Sequence, residues 1–222
     1  MIKKILGDKD HLGKRYFIFL VGLCICSFGV ALTTKAGLGT SPVSAIPYTL
    51  SIIFPNFTFG NWLIIFCFLQ IGIQIILLRK NCVVSELVIQ GILAFAYGYL
   101  TDLSMLLLSG LNPNLYIMKM VFLILGCFIL AFGVYMELLG DVGMLSNDAF
   151  IKVIAFVTGK EYGNVKVVVD ATMVVVSIFA GLICTHQIIG VREGSVIAAI
   201  IVGLIIKLYK KIFKSVEKII IE

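Results

Sequence analysis

Charge is what this sequence has least of. Only 14% of its 222 residues are Asp, Glu, Lys or Arg, against about 25% in a soluble globular domain. A chain so poor in charge cannot cover itself with groups that water solvates, and lipid is its expected solvent. Histidine is scarce too. His11 lies in the N-terminal tail and His186 in a joint, with no nucleophile pattern beside either. No Walker loop follows a strand, so the chain is not expected to hydrolyse ATP itself. No acidic pair has metallohydrolase spacing. The sequence therefore predicts no enzyme, no cofactor and no metal. Four prolines and scattered glycines leave no linker and no second soluble domain. Of the six cysteines, nearly all sit inside apolar runs, no pair has zinc-site spacing, and Cys24-Ile-Cys26 within a span is a poor redox motif.

What the chain does have is apolar sequence: 60% hydrophobic residues and a mean hydropathy of +1.11. The net charge of +6 is not a nucleic-acid signal. Its lysines and arginines gather at the two ends and in short joints, without an aromatic platform, and read as cytoplasmic anchors. The segment before Phe17 is polar, but the long run beyond it lacks a small-residue cleavage site, which predicts a first span rather than a removed signal peptide.

A spanning helix needs about 20 mostly apolar residues. Six runs meet or approach that: Tyr16–Thr34, Asn61–Leu78, Glu86–Leu108, Tyr116–Met136, Val165–Cys184 and Gly194–Leu208. Two shorter stretches, Pro42–Phe54 and Asn147–Val157, are bounded by Gly or Pro and by polar residues. At about 1.5 Å per residue neither comfortably crosses a 30 Å core, so both read as re-entrant half-helices. With six spans, both termini, the joint at Arg79 and Lys80, and the cluster from Lys207 to Lys218 all lie in the cytoplasm of a bacterial inner-membrane protein. An eight-span count would put that joint outside.

The chain also repeats itself. Gly22, Ile25, Phe28, Gly29 and Val30 match Gly126, Ile129, Phe132, Gly133 and Val134 at equal spacing. Gly37–Ser44 then aligns with Asp141–Asp148, Phe59-Gly60-Asn61 with Tyr162-Gly163-Asn164 one residue out of step, and Ser85-Glu86 with Arg192-Glu193. The expected fold is an all-α membrane protein, a single membrane domain over 1–222 with tails 1–15 and 209–222. It holds six transmembrane helices plus two half-helices in two repeats, 16–108 and 116–208. Three spans per repeat is odd, so the second copy inserts upside down, an inverted-topology arrangement common among transporters.

Two of these segments carry a resemblance. Gly37-Leu-Gly39-Thr-Ser41-Pro42 and Val191-Arg192-Glu193-Gly194-Ser195-Val196-Ile197-Ala198-Ala199 resemble the YczE/YyaS/YitT group of bacterial membrane proteins, over most of the chain. Members often carry threonine where Ser195 stands. The group is largely uncharacterised, so the resemblance implies location and fold and no substrate.

Polar groups inside a bilayer are expensive, and each invites a functional reading beside a structural one. Gly39, Thr40, Ser41 and Ser44 read either as a helix-start anion or carboxylate site or as a connecting turn with a cap. Ser146 and Asn147 are candidate caps of the second half-helix. Asp148 is a coupling-ion ligand if it reaches the midplane and a helix-start acid if it does not. Glu137 ends its span and reads as interfacial. Asp170 either faces a cavity or pairs with Lys166 at i−4. Gln90, Ala94, Tyr97 and Thr101, with Asp102, form a stripe that lines a water path or bonds helices. Gln70 and Gln74 share a face as site or glue. Arg192 and Glu193 are a gate, a carboxylate clamp or an interfacial pair. The starts of the two half-helices are expected to meet across the repeat axis, because broken backbone in lipid must be buried or line a cavity.

The leading functional expectation is a secondary transporter or facilitator of a small polar solute or ion. The alternatives are a membrane substrate-binding subunit of an ATP-driven importer, or a scaffold for another membrane complex. The partners are the lipid bilayer and that solute, with no nucleic acid; an oligomer is left open. Cysteine labelling from each side should place position 80 in the cytoplasm. Labelling of that position from outside would sink the six-span count.

Overall fold

The structure is a computed structural model that describes residues 12–79, 82–140 and 142–213. Its described residues form eight helices: α1 (Leu12–Lys35), α2 (Pro42–Ile53), α3 (Phe59–Leu78), α4 (Val84–Leu107), α5 (Tyr116–Gly140), α6 (Ser146–Thr158), α7 (Tyr162–Thr185) and α8 (Glu193–Ile212). Lys80, Asp141 and the expected basic tail beyond 213 lie outside the described residues. Each helix matches an apolar run read above, usually with two to four further residues at an end, where polar residues continue the backbone pattern.

Five of the helices, α1, α3, α4, α5 and α7, are long and apolar enough to cross a membrane. The sixth expected span, α8, has 20 residues but carries Lys207, Lys210 and Lys211 in its last two turns. Its apolar part is therefore shorter than the others'. The short segments do form helices, of 12 residues in α2 and 13 in α6. At about 1.5 Å per residue they reach roughly 18–20 Å, well short of a 30 Å hydrocarbon core.

The centre of the molecule is an antiparallel contact between α1 and α5. Four glycines bring the two backbones together. A Cβ on Gly29 would stand 2.5 Å from Leu130 N, one on Gly126 2.6 Å from Thr33 Cγ2, and one on Gly22 2.9 Å from Glu137 N. Gly133 lies against the Cys26 backbone in the same way. These are the glycines that repeat in the sequence. In lipid there is no hydrophobic drive between helices, and close approach at small residues supplies the dispersion contacts instead.

Around this pair the other helices attach in matching ways. Helix α4 packs on α1, and α8 on α5. The short α2 lies on α7, and the short α6 on α3. Each short helix also touches the span that follows it, α3 for α2 and α7 for α6. One relation lacks a partner: α3 and α4 pack tightly as an antiparallel hairpin, whereas α7 and α8 make little contact. Gly98 fits against the Gly60 carbonyl at the open end of that hairpin.

Burial is arranged for lipid. Large apolar side chains such as Phe17, Leu69, Ile76, Ile117, Val167 and Ile183 point outward. Serine, threonine, glutamine and asparagine side chains occupy many of the most buried positions, among them Ser27, Thr33, Gln70, Gln74 and Thr101. The spans therefore pack through small and polar residues and show their apolar faces to the bilayer.

Gly29→Leu and Gly133→Leu should each destabilise the detergent-solubilised protein by about 1–3 kcal/mol, the usual cost of overpacking, read as a lower Tm. Gly72, which has open space where a Cβ would stand, is the control. Gly72→Leu should leave Tm unchanged or raise it.

Candidate functional site

The buried polar residues gather in separate places. The first is the joint after α1. Gly37 and Gly39 both take positive φ, 75° and 107°, a region only glycine enters without strain. A side chain at Gly39 would strike Ser195 Oγ and Arg192 N. The Gly194 amide donates to the Leu38 carbonyl at 2.8 Å, and Arg192 Nη1 donates to the Gly37 carbonyl at 3.4 Å. The two motifs that carry the family resemblance thus pack directly on one another. The glycines serve this backbone contact.

Behind that joint runs a chain of hydroxyls. Thr34 Oγ1 is 2.9 Å from Thr40 Oγ1, which is 2.9 Å from Ser44 Oγ, which is 2.6 Å from Ser41 Oγ. Pro42 is the first helical residue of α2, as Ser41-Pro42 led one to expect. Ser41 holds the cap position, but its side chain makes no cap hydrogen bond; its hydroxyl is engaged with Ser44. Farther along α2, Thr49 Oγ1 lies 2.6 Å from Ser177 Oγ of α7, and Ser177 donates to the Ala45 carbonyl at 3.1 Å. Arg192 and Glu193 form an exposed ion pair at 3.4 Å, worth under about 1 kcal/mol.

The second gathering surrounds the start of α6. Gln70 Nε2 donates to Asn147 Oδ1 at 3.0 Å, and Ser146 Oγ donates to Gln70 Oε1 at 3.4 Å. Gln74 Nε2 reaches both Gln90 Oε1 at 3.1 Å and the Ser146 carbonyl at 3.3 Å. All five side chains are buried. The capping expectation for Ser146 and Asn147 is corrected: the cap residue is Leu145, without a side-chain bond. Both polar side chains turn instead to Gln70, which offers one a donor and the other an acceptor.

The stripe on α4 faces protein along its length, with Gln90, Ala94, Tyr97 and Thr101 all buried. Asp102 continues it but serves α3, accepting from Gly60 N at 2.7 Å and from the Thr58 hydroxyl. A carboxylate at the amide end of a helix is favoured by the dipole and by the free N–H groups there. Asp148 and Asp170 share Lys166, each at 3.7 Å, and Asp148 also accepts from Tyr162 Oη at 3.1 Å. The Asp148 side chain is 35% exposed, so it lies at an edge of the bundle.

The two half-helix starts do not meet. The first is tied to Thr34, near the C-terminal end of α1; the joint before the second lies against Phe19, near the other end. Fifteen residues of helix separate these, about 22 Å along the axis. Each short helix begins close to the end of the span before it, so the antiparallel pair carries the two starts to opposite sides.

One residue was misjudged from sequence. Glu137, in the last turn of α5, is 8% exposed. Its carboxyl lies beside the Cys26 thiol, and its Oε1 has no hydrogen-bond partner. Position alone suggested an interfacial acid. The sign of burial was Gly22, which sets the α1 backbone against Glu137 N.

Together these features define a multi-span α-helical membrane protein with a polar interior. A family model described as a family of unknown function, DUF6198, matches residues 13–211, and the chain belongs to that family. No curated protein and no solved structure matches it.

Gln74→Leu should cost about 0.6–1.7 kcal/mol, from the average to the maximum found for hydrogen bonds between membrane helices, because it leaves Gln90 Oε1 without its donor. Adding Gln90→Leu should recover part of that loss, since removing both partners costs less than orphaning one. Thermal unfolding of the two variants in one detergent checks both.

Proposed function

We propose that the chain is a secondary transporter or facilitator of a small polar solute or ion, working in a bacterial inner membrane with both termini in the cytoplasm. Six crossings, with α8 as the sixth, and two inverted-topology repeats complete the reading, as does kinship with the YczE/YyaS/YitT group.

The observation that carries the proposal is the exchange of the short helices. Helix α2 belongs to the first half but lies on α7 of the second, and α6 belongs to the second but lies on α3 of the first. The equivalent helices α1 and α5 run antiparallel between them, in contact at the repeated glycines. Two like halves that point in opposite directions through one membrane present like gates to its two faces. A short helix resting on the opposite half moves with that half relative to its own spans. Rocking of the halves about α1 and α5 then shifts α6 against α7, the next span of its own half, and α2 against α3.

The loose contact between α7 and α8 supports motion in the second half, since the corresponding α3–α4 hairpin is tightly packed. Buried hydroxyls and amides at the exchanged contacts offer neutral donors and acceptors, which suit a polar solute better than a bulky apolar one.

Purified protein in liposomes, without any ATPase, should move at least one solute in a panel of small polar metabolites and ions. Thr49→Val combined with Ser177→Ala should change that flux. A panel without flux, together with recovery of the chain in complex with an ATPase, would replace the transporter by an importer subunit.

A further inference from the structure

We propose that Glu137 is a proton-carrying carboxyl of the bundle core, the group through which transport as proposed above is coupled to a proton gradient. The first ground is position. Glu137 stands near the end of α5, yet helical side chains lean toward the N-terminus of their helix, and this one leans inward to Cys26, close to the middle of α1. The carboxyl therefore sits well inside the span that its sequence position only borders.

The second ground is its company. Of the helices packed on α5, α1 presents the Cys26 thiol to it and α8 brings the Tyr209 phenol beside Tyr135, while the Tyr97 phenol of α4 and the half-exposed Asp148 carboxyl of α6 lie within electrostatic reach. Every one is an acid. Among the described residues no ion pair involves Glu137, and Lys166 is taken by Asp148 and Asp170. An ionised carboxylate buried in lipid without a cation costs several kcal/mol even after relaxation, and a buried acid meets that cost by keeping its proton. Among the described residues no group of three or more His, Cys, Asp or Glu side chains is placed to hold a metal ion.

The third ground is the orphaned oxygen. Glu137 Oε1 is shielded from solvent and bonded to nothing, in a molecule whose other core amides and hydroxyls are largely paired. As a protonated acid the group has a donor to spare, ready for a solute or water that enters when the halves rock. The repeat equivalent of Glu137 is Thr33, which packs on Gly126. Of these two positions only Glu137 carries a titrating group.

Infrared spectroscopy of the protein in lipid, titrated from acid to alkaline pH, tests this without a known solute. A carboxylic-acid carbonyl band should persist at neutral pH, fade as pH rises, and be missing from Glu137→Gln. Because glutamine mimics the neutral acid, that variant should keep the wild-type Tm at neutral pH. Spectra of wild type and Glu137→Gln without a difference in the acid band would overturn the proposal. Once a solute is found, accumulation driven by a proton gradient should be lost in Glu137→Gln and kept in Glu86→Gln, an exposed acid at the start of α4. Equal gradient-driven accumulation in both variants would also overturn it. Absence of flux in wild type defeats the transport reading alone and leaves the infrared result standing.

Discussion

The architecture depends on how closely α1 and α5 approach. Gly22, Gly29, Gly126 and Gly133 remove the side chains that would otherwise hold the two backbones apart. Because the helices are antiparallel, each glycine pair on one helix meets its counterpart on the other in reverse order. Helices α4 and α8 then attach to opposite members of the pair, and everything that follows inherits the exchange. In water such a contact would compete with burial of larger apolar groups. In lipid, packing and polar bonds are the main forces available between helices, which is why glycines can dominate the centre.

The interior is polar for the same reason. A buried glutamine in a soluble protein displaces favourable apolar burial. In a bilayer the apolar side chains gain nothing by turning inward, and a polar group inside is better off bonded to another helix than facing hydrocarbon. Gln70, Gln74, Gln90, Ser146 and Asn147 meet that requirement among themselves. They also anchor the start of α6, so a helix too short to cross is tied to α3 at one end. Thr49 and Ser177 do the equivalent for α2. Glu137 departs from this pattern, with one buried oxygen left without a partner.

Much of this was legible in order. The helices follow the apolar runs, and the pairing of Lys166 with Asp170 follows from their spacing of four residues on one helix. The repeated glycines announced a shared contact. What periodicity could not reveal was direction. Ser146 and Asn147 sit where a cap belongs, yet they turn to Gln70, 76 and 77 positions away. Asp102 shares a stripe with Gln90 and Tyr97, yet it serves the start of a neighbouring helix. The half-helix starts looked like partners because their sequences correspond. Their separation follows from the antiparallel pair that carries them.

By itself the sequence determined solvent, helix count and the small contacts, because lipid exposure, span length and glycine spacing are local properties of the chain. The tertiary structure alone decided which span each short helix rests on, which polar side chains bond one another, and that Glu137 is buried. Those outcomes depend on contacts between residues on different helices, from 16 positions apart for Gln74 and Gln90 to 128 for Thr49 and Ser177, whose geometry is carried by no local pattern.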